Sequence, residues 1–412
     1  MNDKIELTLA KTPSLRPADI PLPASKSESN RALIINALAG GDGSLTNLSA
    51  ARDTRTMLRL LSSEDHVLDV RDAGTTMRFL TAYLAVKGQK ATLTGTPRMC
   101  ERPIGTLVDA LNELGASLSY KAEDGYPPLE IDGDFEQKTD TLSIRGDVSS
   151  QYVSALLMVG PVLERGLTLR LTGKIGSRPY IEMTLALMRD FGAKASFVSD
   201  DTIKVEPVPY KTSGFAVESD WSGASYWYAW AGLADVAELK LLGLKKNSLQ
   251  GDIRIAEIMS ELGVKSVFEE DGVCLVKVPV GNPGRIDFSD CPDLAQTVAT
   301  YCAGAGIDCE MVGLESLRIK ETDRIVALQT ELGKIGATIE EPEVGLWRLK
   351  SDKNWAEWED ELVFDTYDDH RMAMCLSVLA SKKTITVKEP GVVAKSYPSF
   401  WEDIEGVGVE LS

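Results

Sequence analysis

The chain has 412 residues and carries 62 acidic against 44 basic side chains, a formal charge of −18. That length exceeds what one hydrophobic core serves, so two domains are expected, and the acidic balance argues against nucleic acid, which needs a broad basic surface. Two histidines exclude a mechanism built on several imidazoles, and the longest apolar stretches, Val153 to Leu163 and Met372 to Ala380, are too short to span a bilayer, so a cytoplasmic protein without membrane contact is expected.

Residues 1–10 read as a strand in which Ile5, Leu7 and Leu9 alternate with polar residues, rather than as a leader peptide. Ser25 and Glu28 then have capping-box spacing before a helix whose apolar stripe is Leu33, Ile34, Ala37 and Leu38, ending at Gly40-Gly41. Capping accounts for the serines but not for Lys26 and Arg31 in the first turns. A Gly74-Thr75-Thr76 corner precedes a helix over Phe79 to Val86, and Glu101-Arg102-Pro103 leads into another apolar run. Ser149, Ser150 and Gln151 open a helix through Met158, as ordinary caps or as ligands of a phosphate. Ser177-Arg178-Pro179-Tyr180 begins the next helix. Leu317 to Lys320 alternates like a strand and passes into a helix carrying Ile325, Leu328 and Leu332, capped by Thr322 or Asp323. Finally, Asp369-His370-Arg371 precedes an apolar helix over Met372 to Leu379, with His370 read as structural and Arg371 as the functional candidate.

Cations recur at these helix starts, where the helix dipole disfavours them by about 0.3 to 1 kcal/mol. A small, multiply charged anion held by free helix N–H groups and by the same side chains would offset that cost. No Walker-type loop and no G-x-G-x-x-G occurs, which removes the main support for a nucleotide kinase or a dinucleotide dehydrogenase. Six cysteines without a CxxC pair or a histidine at metal-ligand spacing indicate neither a disulfide framework nor a zinc site.

An apolar-Gly-small step at the end of a helix returns at Leu114-Gly115-Ala116, Phe191-Gly192-Ala193, Leu262-Gly263-Val264, Ile335-Gly336-Ala337 and, less cleanly, Val407-Gly408-Val409, about 71 to 77 residues apart. Each glycine is explained by a left-handed helix end, but the period signals a duplicated supersecondary unit. A sixth, shorter copy fits near Met57 to Leu61. With strand-like segments such as Leu142 to Ile144, Leu167 to Leu171 and Ile385 to Val387 between the helices, the expectation is α/β, three copies before about residue 217 and three after about 222.

Taken in order, Leu22 to Arg31, Pro97 to Gly105, Leu317 to Arg324 and Asp368 to Ala373 resemble the 5-enolpyruvylshikimate-3-phosphate synthase family, with matching stretches from Leu22 to Phe400. The resemblance implies an inside-out α/β barrel fold of two similar domains, each of three βαββαβ-type units. It places them at 21–220 and at 1–20 with 221–412, joined by crossovers at Pro21 to Pro23 and Glu218 to Gly223 that close on the substrates. It implies transfer of the enolpyruvyl group of phosphoenolpyruvate to the 5-hydroxyl of shikimate 3-phosphate, by a monomer, without metal or organic cofactor. Carried over residue by residue, Lys26, Arg102, Arg324, Arg371 and Lys395 would hold phosphoenolpyruvate. Ser27, Arg31, Ser149, Ser150, Ser177, Tyr180, Asp293 and Lys320 would hold shikimate 3-phosphate, with Gln151 between the two and Gly74 also in the binding set. Asp293 would act as base for the hydroxyl, Glu321 would carry protons at the methylene carbon, and Lys26 would assist at the leaving phosphate.

The chain departs from frequent family residues at Ala24, Asp72, Cys100 and Ser316, and an acidic Asp72 is awkward beside an anion unless it faces an arginine. The related UDP-N-acetylglucosamine enolpyruvyl transferases carry a reactive loop cysteine several residues before an arginine. Here Cys100 is only two residues before Arg102.

Overall fold

The computed structural model describes residues 5–41, 43–147, 149–173, 175–281, 283–358 and 361–412; Val148 of the Gly146 to Tyr152 stretch lies outside them. The chain divides into two compact units, Ala24–Val217 and Met1–Pro23 with Glu218–Ser412.

Each unit is built from three copies of one pattern. In the first unit, Val67–Asp69 lies parallel to Ala91–Thr94, which pairs antiparallel with Leu129–Phe135 and through it with Ala116–Tyr120. Thr141–Arg145, Leu167–Thr172, Thr202–Val205 and Ala195–Ser199 repeat that order and those directions. The third copy is reduced to a parallel pair, Leu45–Thr46 with Phe215–Ala216. In the second unit the same four-stranded order occurs in Ala18–Pro21, Leu239–Leu242, Gly272–Lys277 and Val264–Phe268, and again in Arg285–Asp287, Cys309–Val312, Leu346–Lys350 and Thr338–Glu343. Its third copy pairs Leu362–Phe364 with Ile385–Lys388 in parallel and adds Glu6–Leu9.

A parallel pair needs a crossover, and in four copies the crossover is a single α-helix: Gly74–Val86, Ser150–Val159, Ala295–Ala305 and His370–Ser377. With Lys26–Leu38 in the first unit and Trp221–Leu233 in the second, they make three largely buried helices per unit. A second set, Arg52–Leu61, Gly105–Leu114, Arg178–Asp190, Ile255–Glu261, Arg324–Gly333 and Phe400–Gly406, supplies one further helix per copy. The five repeated glycines follow the last five of these helices with positive φ, from 73° at Gly336 to 123° at Gly115. A Cβ on Gly115 would come within 1.8 Å of the Glu136 carbonyl oxygen, so close approach and dihedral both require glycine there.

Three local expectations change. Glu315–Ile319 is a 3₁₀ turn, not a strand: Leu317 is fully buried while Ile319 is 49 % exposed, so two positions that would share one face of a strand do not. Ile5 is 80 % exposed, and the strand starts at Glu6 with Leu7 and Leu9 as its buried face. Lys26–Leu38 is more than a striped surface helix, because Glu28, Ser29, Asn30 and Arg31 are buried as well.

Candidate active site

In an α/β unit the carboxyl ends of the parallel strands, where the crossover helices begin, collect ligand-binding groups. In the first unit, the side-chain oxygen of Ser25 caps Lys26–Leu38 by accepting from the Glu28 N–H. Lys26 at the first helical position pairs at 3.3 Å with Asp53, whose side chain is 3 % exposed and which comes from the helix Arg52–Leu61. The Thr76 hydroxyl donates to the Asp53 carbonyl at 3.3 Å, tying the start of Gly74–Val86 to the same place. Gly74 matters through what it lacks: a Cβ would sit 2.8 Å and 2.9 Å from the two terminal nitrogens of Arg102, so the guanidinium lies directly against the first turn of this helix. Arg78 donates to the carbonyls of Gly74 and Pro103 and holds the Arg102 segment to that helix.

Ser149 accepts from the Gln151 N–H at 3.3 Å, leaving Ser150 and Gln151 partly exposed at the start of Ser150–Val159. Ser177 is held in the left-handed region, φ 53° and ψ 42°, without capping the helix it precedes. A non-glycine residue kept there costs roughly 1 to 3 kcal/mol. Tyr180 is partly exposed, and its ring faces Arg31 at 5.6 Å. Arg31 itself is only 2 % exposed and donates to Thr184, Ser154 and the Ser27 carbonyl, linking three helices. Burial lowers its guanidinium to about 10, against the opposing pull of Tyr180 and Glu28, so it stays charged at neutral pH. Asp72 does face an arginine: it pairs with Arg52 at 2.7 Å.

The second unit centres on Arg324, 1 % exposed. Asp323 caps its helix, accepting from the Ile325 and Val326 N–H groups. The guanidinium then reaches Asp369 at 2.7 Å through Nε, Glu321 at 2.9 Å and Asp293 at 3.1 Å. Arg371 donates to the other Asp293 oxygen at 2.9 Å and to its backbone carbonyl at 3.2 Å. Lys320 lies 3.8 Å from Asp293, and the buried Lys395 lies 3.4 Å from Glu321. Burial pushes the Asp293 carboxyl up, but Arg371, Lys320 and Arg324 together outweigh it and hold it below the ordinary carboxylate range. For Arg324 the sign is opposite: burial lowers it, and Asp369, Glu321 and Asp293 more than compensate. Four cations thus share three carboxylates. Among the described residues no group of three or more His, Cys, Asp or Glu could hold a metal ion, and no helix is long and apolar enough to cross a membrane.

The sequence-expected residues therefore fall into two clusters, one per unit, mostly at or just before helix starts. Sequence reasoning missed the counterions Asp53 and Asp369 and the pair Ser222–Asp252, which touches Arg371. Asp369 had a signal, its place beside His370-Arg371; the others had none.

The family model for EPSP synthase (3-phosphoshikimate 1-carboxyvinyltransferase) matches residues 13–63 and 59–404. A 3-phosphoshikimate 1-carboxyvinyltransferase of Bacteroides fragilis is 49 % identical over 406 residues, covering 97 % of each chain. One from a Sulfurovum species is 37 % identical over 423 residues, covering 94 % of this chain and 96 % of its own. Among solved structures, an EPSP synthase from Acinetobacter baumannii aligns with TM-score 0.78 at 20 % identity over 99 % of both chains. The enolpyruvyl transferase NikO from Streptomyces tendae aligns with TM-score 0.73 at 15 % identity, over 99 % of this chain and 98 % of its own. At those identities the likeness establishes the fold, the α/β architecture of the enolpyruvyl transferases.

Proposed function

The chain belongs to the EPSP synthase family, and we propose that it transfers the enolpyruvyl group of phosphoenolpyruvate to the 5-hydroxyl of shikimate 3-phosphate, releasing phosphate. The observation that carries this is the Arg324 cluster, a fully buried guanidinium among three carboxylates with Arg371, Lys320 and Lys395 around it. Such a cluster suits a small acid bearing several charges. Lys26, Arg102, Arg324, Arg371 and Lys395 are assigned to the donor. Ser27, Arg31, Ser149, Ser150, Ser177, Tyr180, Asp293 and Lys320 are assigned to the acceptor, with Gln151 between the two and Gly74 also in the binding set. The two units are assigned as the two enolpyruvyl transferase domains.

In the addition step a proton goes to the methylene carbon of the donor, the acceptor hydroxyl attacks the neighbouring carbon, and the hydroxyl proton passes to Asp293. The elimination step removes a proton from the new methyl group and breaks the carbon–oxygen bond to phosphate, restoring the double bond. Glu321, tied to Arg324 and Lys395, is assigned the proton at the methylene carbon; Lys26 is assigned the leaving phosphate. Asp293 is a weak base while three cations face it, and it strengthens when substrate anions neutralise them. The rival acceptor, UDP-N-acetylglucosamine, gains nothing from Cys100, which ends the short helix Pro97–Cys100 with its thiol turned towards the Gly95 carbonyl at 3.8 Å.

Phosphate release measured with both substrates, with each alone, and in the presence of a chelator tests the assignment. Release is expected only with both and undiminished by chelation; loss on chelation with recovery on adding one metal refutes it. We further assign a cytoplasmic monomer, for which light scattering across a concentration series should give one chain mass.

A further inference from the structure

Five of the six helix starts in the second set deliver a residue to the clusters already described: Asp53 on Arg52–Leu61, Arg102 before Gly105–Leu114, Ser177 before Arg178–Asp190, Lys320 and Glu321 before Arg324–Gly333, and Lys395 before Phe400–Gly406. The sixth is the 3₁₀ turn Gly251–Arg254 leading into Ile255–Glu261, and what it delivers is Asp252. The buried helix of the same repeat, Trp221–Leu233, presents Ser222 at its second position. These two side chains are joined, with the Ser222 hydroxyl donating to Asp252 Oδ2. Ser222 Oγ in turn accepts from Arg371 at 3.2 Å, and the same Arg371 nitrogen lies 2.9 Å from Asp293.

We propose that Asp252 is a positioning residue for the donor: through Ser222 it fixes the guanidinium of Arg371 that the donor must meet. A serine hydroxyl has a single hydrogen. With that hydrogen directed to Asp252, the lone pairs of Ser222 face Arg371 and give its guanidinium a fixed acceptor beside Asp293. The inference rests on the assignment of Arg371 to the donor.

Asp252 is otherwise hard to account for. It is 3 % exposed, and its Oδ1 has no hydrogen-bond partner among the described residues. Burial first, and then the charge of Asp293, push its carboxyl up to about 7, against Arg371 and the Ser222 hydroxyl. Asp220 adds to that rise, and the thiol of Cys291 feels the Asp252 charge in return. A buried carboxylate with one orphaned oxygen is costly, and an apolar residue would serve packing better. Its contact with Ser222, which Arg371 meets, fits a role in aiming Arg371.

The test is steady-state kinetics on the full chain for Asp252→Ala, Asp252→Asn, Ser222→Ala and the double variant Asp252→Ala/Ser222→Ala, varying phosphoenolpyruvate at saturating shikimate 3-phosphate. Losing one fixed hydrogen bond should raise the donor KM by about two- to twelvefold in Asp252→Ala and in Ser222→Ala. The change should fall on KM rather than kcat, since binding is altered and the chemistry is not. Asp252→Asn keeps an acceptor for Ser222 and should restore most of the donor KM. The double variant should be no worse than Ser222→Ala, because both act through one link. Additive losses, an unrescued Asp252→Asn, or a fall in kcat at unchanged KM would each overturn the inference. Ser222→Ala and Asp252→Asn decide the matter if Asp252→Ala does not fold. Absence of phosphate release by the wild type rejects the function itself, whereas normal wild-type release with unchanged donor KM in the variants rejects only this role of Asp252.

Discussion

Replacing Arg324 with alanine should destabilise the unit containing residues 218–412 strongly, and most at neutral to alkaline pH. The side chain is 2 % exposed and bridges Asp369, which is 0 % exposed, with Glu321 and Asp293. Its removal leaves buried carboxylates facing one another with fewer cations, a loss of about 3 to 5 kcal/mol. With a urea slope of about 2 kcal/mol per molar, the midpoint should fall by roughly 1.5 to 2.5 M. All seven tryptophans lie between residues 221 and 401, so their fluorescence reports this unit without interference from the other. The pH dependence follows from Asp293. In the wild type its folded pKa lies below the unfolded value, so its pairing contributes stability above about pH 3.9 and loses it only as pH falls through the lower folded value. Without Arg324 the folded value moves upward, though Arg371 and Lys320 still face Asp293, so the deficit should be full from neutral to alkaline pH and narrow only as pH falls through that new folded value, where protonation relieves the uncompensated charge. An unchanged midpoint at pH 8, or a deficit that does not narrow as the pH is taken down to about 3, would refute this reasoning.

Asp293→Asn should lower single-turnover rates sharply while leaving phosphoenolpyruvate affinity unchanged or increased, because Arg371, Arg324 and Lys320 lose an internal competitor for their charge; weaker donor binding by calorimetry would contradict that. Gly74→Ala should raise the donor KM with little change in the thermal midpoint, since the new methyl group displaces the Arg102 guanidinium, a movable side-chain end, rather than backbone. A variant that melts early with a normal donor KM would show that the glycine serves packing instead.

What could be read from the sequence was local. The five glycine steps, the serine and aspartate caps and the cations at helix starts all depend on neighbours within a few residues, and the structure has them where their spacing puts them. The non-local pairings could not be read that way. Ala18–Pro21 lies beside Leu239–Leu242, and Leu45–Thr46 beside Phe215–Ala216, across gaps that no periodicity signals. The strand read at Leu317 failed for a related reason. Alternation describes a face, but whether a partner strand covers that face is decided elsewhere in the chain.

The counterions carry the deeper lesson about the site. Cations at helix starts pointed to an external anion, yet Asp53, Asp293, Glu321 and Asp369 already supply internal ones. Binding is therefore an exchange rather than a capture. A singly charged acid approaching Arg371 must compete with Asp293 at 2.9 Å, in the same partly buried setting and at little net advantage. On the proposed assignment the donor's carboxylate and phosphate can engage Arg371 and Lys395 at once while the acceptor engages Lys320, and neutralising Arg371 or Lys320 frees Asp293 to act as a base. The internal carboxylates thus select against simple anions that bear one charge. If Asp293 is the base, as proposed, they also link occupation of the site to its chemistry, because that carboxylate is restrained until the proper charges arrive.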